Sequence, residues 1–325
     1  MLERERPEQV VVCGPDHTHA GQIKAALLRG VDVLTEKPMV LTAAEANDIA
    51  ALDRAGPASV RVAHNLRYLN AHRLIKSLLE RGDIGRIRAA ALDYRLRPGH
   101  GASYFRRWHR HRERSGGLEL TKSTHHLDLL NWWIADRPVD VTAFSDRLFY
   151  TADSPHGVPA DADIDDTLHA AVRYAGGATA TYSLIGCAPW EGYELTIFGE
   201  TGSLDYRFEV RPPEGHDPEP HHRIRVIGLD GAIAEHALPR EDGRHCGADR
   251  HLIEDAFFNG GKHLATASEA AAAVAVGEAI TVAARSGAAV RLADPSPARA
   301  EEPPAQPKRY GSVGSMQEGS STTSL

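Results

Sequence analysis

Three short β-branched runs, two of them leading within a few residues into a helical pattern, constrain this chain more than any other feature. VVVC (Val10 to Cys13) is followed by Gly14-Pro15 and a helix over about His19 to Arg29. VDVLTE (Val31 to Glu36) leads into a helix ending near Arg54, and VRVAHN (Val60 to Asn65) reads as a third strand. Short apolar runs bounded by turn residues suit strands buried on both faces, and strand alternating with helix demands a parallel sheet covered by helices through right-handed crossovers. Gly30 is placed to close the first helix and Thr42 to cap the second. Residues 1–66 thus read as part of a doubly wound domain, whose ligands would meet the carboxyl ends of the strands.

After residue 66 the pattern changes. A helix is expected over His72 to Arg81, then a Gly82/Gly85 turn. Strands follow at Ile87 to Arg97, Val139 to Phe149, Leu168 to Tyr174, Ala178 to Leu184, Tyr193 to Phe198 and Arg223 to Leu229. Gly176-Gly177 and Asp230-Gly231 mark hairpin reversals, so residues 67–294 read as an open, mainly antiparallel sheet. One helix, Ser115 to Ala135, interrupts it; two more, about Asp249 to Phe258 and Ser268 to Ser286, follow it. Residues 295–325, rich in Pro, Ala, Ser and Gly, lack the apolar side chains that offset ordering entropy and are expected to be disordered.

Composition narrows the function. Lys+Arg 37 against Asp+Glu 44 leaves a net charge of −7, which supplies no overall attraction for nucleic acid or anionic lipid. No apolar run approaches the roughly 20 residues of a membrane helix, and the opening lacks a signal-peptide core, so a soluble cytoplasmic protein is expected. Cys13, Cys187 and Cys246 are scattered and odd in number, which offers no disulfide framework and no zinc motif.

Four segments carry candidate chemistry. CGPDHTHA (Cys13 to Ala20) ends the first strand: His17 or His19 would line a crevice there, or Asp16 and Thr18 serve only as helix caps beside solvated histidines. His-x-His without a nearby third ligand is a weak metal site. TEKPM (Thr35 to Met39) ends the second strand, and partial burial beside another positive charge would lower the Lys37 pKa and fit it for proton transfer. Glu36 would equally form an ion pair with it. In SGGLELTKSTHHLDLLNWW (Ser115 to Trp133), Lys122, His125 and His126 fall on one helix face with Asp128 three residues beyond His125; the alternative is a pair of satisfied core histidines. YFRRWHRHRER (Tyr104 to Arg114) suits phosphate or carboxylate recognition through Arg forks, or a solvated loop or subunit contact. DADIDD (Asp161 to Asp166) lacks the glycine and terminal glutamate of an EF-hand and reads as a solvated loop; HCGAD (His245 to Asp249) reads as a site loop or as helix capping.

In this order the segments PDHTHA, EKP, NLRY (Asn65 to Tyr68) and GG…HHLD…W resemble the Gfo/Idh/MocA family of nicotinamide-dependent oxidoreductases, which act on sugars, inositols and related polyols. The resemblance covers most of residues 9–293. It implies an incomplete Rossmann-like parallel sheet at 1–66, α/β, followed by an α+β substrate domain at 67–294 with helices on one face of its sheet. It also implies NAD or NADP as cofactor and a homo-oligomer, a dimer, formed through the open sheet face. Lys37 would lie beside the nicotinamide and the substrate hydroxyl, and His125, with Asp128 three residues on, would be the acid/base. Lys122 would share the catalytic work. His126, Asp128, Arg107 and Tyr104 would contact substrate, and Pro15, Asp16, His19, Glu36, Asn65 and Arg67 would contact cofactor.

The sequence departs from the family pattern twice. Thr121 stands where an aspartate usually precedes the helix histidine, and KSTHH takes the form seen in some members, so Lys122 and His126 are expected to assume part of that polar role. The strand, G-x-G-x-x-G and helix that open the family's Rossmann domain are absent from this sequence, which puts activity and NAD(P) binding by the chain as it stands in question. The expected reaction is reversible hydride transfer between NAD(P) and a secondary alcohol of a sugar, inositol or related polyol. The alternatives are an NAD-dependent glycosidase on the same scaffold and a non-catalytic truncated homologue.

Overall fold

A computed structural model describes residues 2–211, 215, 223–238 and 244–293. It contains two sheets, each over its own hydrophobic core. In the first, β1 (Gln9–Val12), β2 (Asp32–Thr35) and β3 (Val60–Val62) run parallel, with Val12 level with Thr35 and Thr35 level with Val62. The connecting helices are His19–Leu27 and Ala43–Ala55. Gly30 takes φ 70 after the first, and the Thr42 side chain accepts the Glu45 N–H at 3.2 Å to start the second. Because the three strands end in register, the segments that follow Val12, Thr35 and Val62 emerge along one edge.

Among the described residues the second sheet has nine strands. β4 (Ile87–Arg95) is central, paired antiparallel on one side with β8 (Glu191–Gly199) and parallel on the other with β7 (Thr179–Ile185). Beyond β8 lie β9 (Gly202–Arg211), β10 (Arg223–Gly228) and β11 (Ile233–Ala237). Beyond β7 lie β6 (Thr167–Tyr174), β5 (Pro138–Asp146) and β13 (Val290–Arg291). Alternate residues point inward: Ala90, Leu92 and Tyr94 from β4, Ala180, Tyr182 and Leu184 from β7, Tyr193, Leu195 and Ile197 from β8. Each large side chain so buried contributes about 1.5–3 kcal/mol. Helices Asn70–Arg81, Thr124–Ile134 and Ala267–Ser286 supply side chains to the same core, while the other face stays open.

Several elements differ from the sequence reading. The expected strand Val60 to Asn65 stops at Val62, and Asn65–Tyr68 is a 3-10 turn. Helix Pro98–Arg106, strand β9 and strand β11 were not anticipated. The first sheet gains a fourth, antiparallel strand, β12 (Ala265–Thr266), against β3. The expected helix Ser115 to Ala135 is three pieces, Arg112–Ser115, Leu118–Thr121 and Thr124–Ile134. Gly116 and Gly117 hold φ 70 and 78 at the first break, a conformation in which a β-carbon is strained. Against the expectation of no membrane-length run, helix Ala267–Ser286 is long and apolar enough to span a bilayer by length and composition. Here it packs on helix Ala43–Ala55, helix Thr124–Ile134 and β5. The expected disordered tail, 295–325, lies outside the described residues.

Candidate active site

The segments leaving β1, β2 and β3 build one wall. His19, fully buried, faces the carbonyls of Pro38 (2.9 Å) and Gly14 (3.0 Å), which locks the loop after β1 to the loop after β2. The Lys37–Pro38 peptide is cis. From there Lys37 Nζ reaches across to the other wall and donates to the carbonyl of Thr121 at 2.8 Å. Thr121 ends helix Leu118–Thr121, so its carbonyl is a terminal acceptor without an intrahelical partner. The break in the helix is therefore what makes the bridge available.

The second wall is the segment after that break. Lys122, the C-cap residue, directs its ammonium over the ring of Tyr94, 5.1 Å from the centroid. His126 packs on Tyr94 (ring centroids 4.2 Å) and shares a hydrogen bond with Tyr182 Oη at 3.1 Å. His125 remains partly accessible, 6.5 Å by ring centroids from both His126 and His64, and its buried Nδ1 has no hydrogen-bond partner among the described residues. The structure thus brings Lys37, from the end of β2, together with Lys122, His125 and His126, from the helical segment packed on the second sheet, although Lys122 and the histidines do not share a continuous helix.

Their charges oppose one another. Burial lowers the Lys37 pKa, against the pull of Asp16 and Glu36. Burial and then Lys37 bring Lys122 down to about 8, with Glu191 pulling the other way. Burial, followed by Lys37, Lys122, His64 and His126, holds His125 well below the ordinary imidazole range, so its ring is neutral at pH 7. His126 is depressed for the same leading reason, with Lys122 next. Asp16 is shifted upward by burial, opposed by Lys37, Thr121 and His19, and its Oδ2 is buried without a hydrogen-bond partner among the described residues.

Other expected site residues have different surroundings. Asp128, 1% exposed, receives both Arg67 Nε and Nη2 at 2.8 Å, and Arg67 also meets Glu269 at 3.2 Å. The two are committed to each other in a fork-to-fork pair, and Asp128 does not hydrogen-bond His125 in the described contacts. Asn65 donates to Asp249 at 3.0 Å. Pro15 and Glu36 are exposed at the rim. Tyr104 is buried, its hydroxyl 3.4 Å from His100 Nε2, while Arg107 is exposed. The Arg-rich run and the acidic run explain each other: Arg110 pairs with Asp161 at 2.9 Å, and Arg112 with Asp165 at 3.2 Å and with buried Glu119 at 3.0 Å.

Sequence reasoning missed four groups here. His64 lies 3.8 Å from Asp128 and is lowered by burial to about 4. His109 stacks on Trp108 (3.7 Å) and is lowered to about 4, by burial first and Lys37 second. Glu191 and His100 meet at 2.8 Å. His109 stands in the Arg-rich segment, where the arginines drew the attention, the other three sit in no motif, and only the fold gathers all four. Among the described residues, no cluster of His, Cys, Asp and Glu is arranged to hold a metal ion. Cavities of about 410 Å³ beside Lys76 and Asp136 and about 510 Å³ along helix Ala267–Ser286 lie elsewhere, with no histidine among their described lining residues.

Comparison with known proteins bears on the family and the fold. Residues 76–292 match the family model of the oxidoreductase family's C-terminal alpha/beta domain, and residues 1–64 match the same family's NAD-binding Rossmann fold. The Bacillus subtilis protein YteT is 33% identical, over 86% of this chain and 79% of its own. The 1,5-anhydro-D-fructose reductase of Ensifer adhaerens is 25% identical, over 88% and 80%. A levoglucosan dehydrogenase solved with NADH and levoglucosan shares the fold at a TM-score of 0.74 and 19% identity, covering 88% of this chain and 81% of that one. The chain belongs to the Gfo/Idh/MocA oxidoreductase family, with the family's NAD-binding Rossmann fold in its first 64 residues and its C-terminal alpha/beta domain in residues 76–292.

Proposed function

We propose that the chain interconverts a secondary alcohol of a sugar, inositol or related polyol with its ketone, using NAD(P). One observation carries this reading: Lys37, from the carboxyl edge of the parallel sheet, bonds at 2.8 Å to the residue four before His125, whose ring is held neutral. An ammonium and a neutral imidazole facing one small space are what removal of a hydroxyl proton requires.

The residues present fit the nicotinamide end of the cofactor. Asp16 offers a buried carboxylate oxygen with no hydrogen-bond partner among the described residues, at the edge where open α/β sheets receive ligands. Asp16, with Pro15, His19 and Glu36 around it, would hold that end. The chemistry a bound nicotinamide supplies is hydride transfer at its C4. His125 would accept the hydroxyl proton, and Lys37 would stabilise the negative charge growing on that oxygen. Lys122 and His126 would hold neighbouring hydroxyls. The Arg67–Asp128 pair would anchor the segment after β3 to the histidine helix, a positioning role. The same reading seats a second copy of the chain on the open sheet face, where Phe144 is 78% and Phe198 49% exposed; sedimentation as a monomer at micromolar concentration would contradict that.

The test is NAD(P) reduction with a panel of sugars and inositols by wild type, His125→Ala and His126→Ala. Loss of about two or more orders of magnitude in kcat for His125→Ala, with a smaller loss for His126→Ala, is expected. If His126→Ala alone abolishes turnover, the base has been assigned to the wrong ring. Glycoside turnover without net NADH would favour the glycosidase alternative.

A further inference from the structure

The first residue of β8 buries a carboxylate that the proposed reaction does not use. Glu191 is 4% exposed; its Oε1 accepts from His100 Nδ1 at 2.8 Å, and its Oε2 has no hydrogen-bond partner among the described residues. His100 is itself held, stacked on Tyr104 with ring centroids 5.5 Å apart and its Nε2 3.4 Å from the Tyr104 hydroxyl. This chain fixes one oxygen of Glu191 and leaves the other facing an unfilled need. A buried carboxylate oxygen without a donor is costly enough that native sites seldom leave one without purpose.

Lys122 has the complementary surplus. Its ammonium lies over Tyr94 and forms no hydrogen bond or ion pair with any described residue. Tyr94, under that ammonium, is level with Tyr193 of β8 and Arg95 with Gly192, so Glu191 is the next residue of the strand beyond the pair, and the two charges favour each other's ionised form without forming an ion pair. Tyr104 joins this corner to the rest of the site: its ring meets His109 at 5.2 Å, and His109 lies in the field of Lys37.

A hydroxyl is the group that accepts from an ammonium and donates to a carboxylate at once; a carboxylate or ketone only accepts, and a hydrogen does neither. We propose that Glu191 and Lys122 together bind one substrate hydroxyl, other than the one deprotonated by His125, so that Glu191 selects neutral polyhydroxylated substrates over their carboxylated counterparts. This rests on the polyol reading above.

Calorimetric titration with and without NAD, on wild type and Glu191→Gln, with D-glucose, its 2-, 3-, 4- and 6-deoxy analogues and D-glucuronate, tests it. Glutamine keeps an acceptor for His100 while removing the charge. The expected result is about tenfold or greater weakening for D-glucose, no weakening for one of the deoxy analogues, and a gain for D-glucuronate relative to D-glucose. Equal D-glucose binding by both proteins, or the same loss for every analogue, overturns the proposal and leaves the polyol reading standing. No binding by the wild type to any of these or to the panel of sugars and inositols above overturns both. A readout without ligand is the Lys122 pKa by NMR, which must fall in Glu191→Gln; an unchanged value overturns the pairing.

Discussion

Replacing Lys122 with methionine should make the protein more stable while it damages the site. Burial brings this ammonium from 10.5 to about 8, and at about 1.36 kcal/mol per pKa unit its charged form costs roughly 3 kcal/mol at pH 7. The variant also loses the contact with Tyr94, a cation–π interaction of about 1–2 kcal/mol, while the methionine stem keeps most of the packing. The net expectation is a gain of roughly 1–2 kcal/mol at pH 7. The folded pKa lies below the unfolded one, so between about pH 8 and pH 10.5 the unfolded chain holds a proton that the folded chain has released. Wild-type stability from this group therefore rises with pH across that window, and the advantage of Lys122→Met must shrink. Urea denaturation of both proteins at pH 7 and pH 9.5 measures it. A variant destabilised by more than about 1 kcal/mol at pH 7, or an advantage that does not change with pH, would refute the reasoning.

Arg67→Met should be severely destabilising, by about 3–5 kcal/mol, because it leaves Asp128, 1% exposed, as a buried carboxylate without its fork; a denaturation midpoint near that of wild type would show the pair to be dispensable. Gly117→Ala should cost roughly 2 kcal/mol or more. Its new β-carbon would fall 2.2 Å from the buried Glu119 Oε2 and 2.5 Å from Nη1 of the partly buried Arg112, two groups already paired. Gly82→Ala, with φ +80 and nothing within 4 Å, should cost only the backbone strain of about 1 kcal/mol; equal losses at the two positions would remove the steric argument.

The parts of this fold legible in the sequence are those whose pattern is local. The β-branched runs at Val10, Val33 and Val60 and the alternation in β4 to β8 declare themselves, as do Gly30, Thr42 and Gly176-Gly177. Strand β9 carries the same alternation, with Leu204, Tyr206 and Phe208 inward, and was there to be read. Helix Pro98–Arg106 was not: PGHGASYFR has two glycines and little periodicity, and Tyr104 and Phe105 are held by tertiary burial. Strands β12 and β13, two residues each, have no local signal at all. At the site, Lys37 and the Lys122–His126 segment stand in motifs, whereas His64, His100, His109 and Glu191 are single residues that meet only through the fold. The commitment of Asp128 to Arg67, 61 residues away in sequence, is likewise a property of the folded chain.

The central claim is that Lys37 and His125 act in one space, and its most direct test is the titration of His125 by NMR in wild type and in Lys37→Met. Burial is the largest cause of the low His125 pKa and the Lys37 charge the next. The account predicts that the His125 midpoint moves upward when that charge is removed, with the fold unchanged. The same midpoint in both proteins would contradict it.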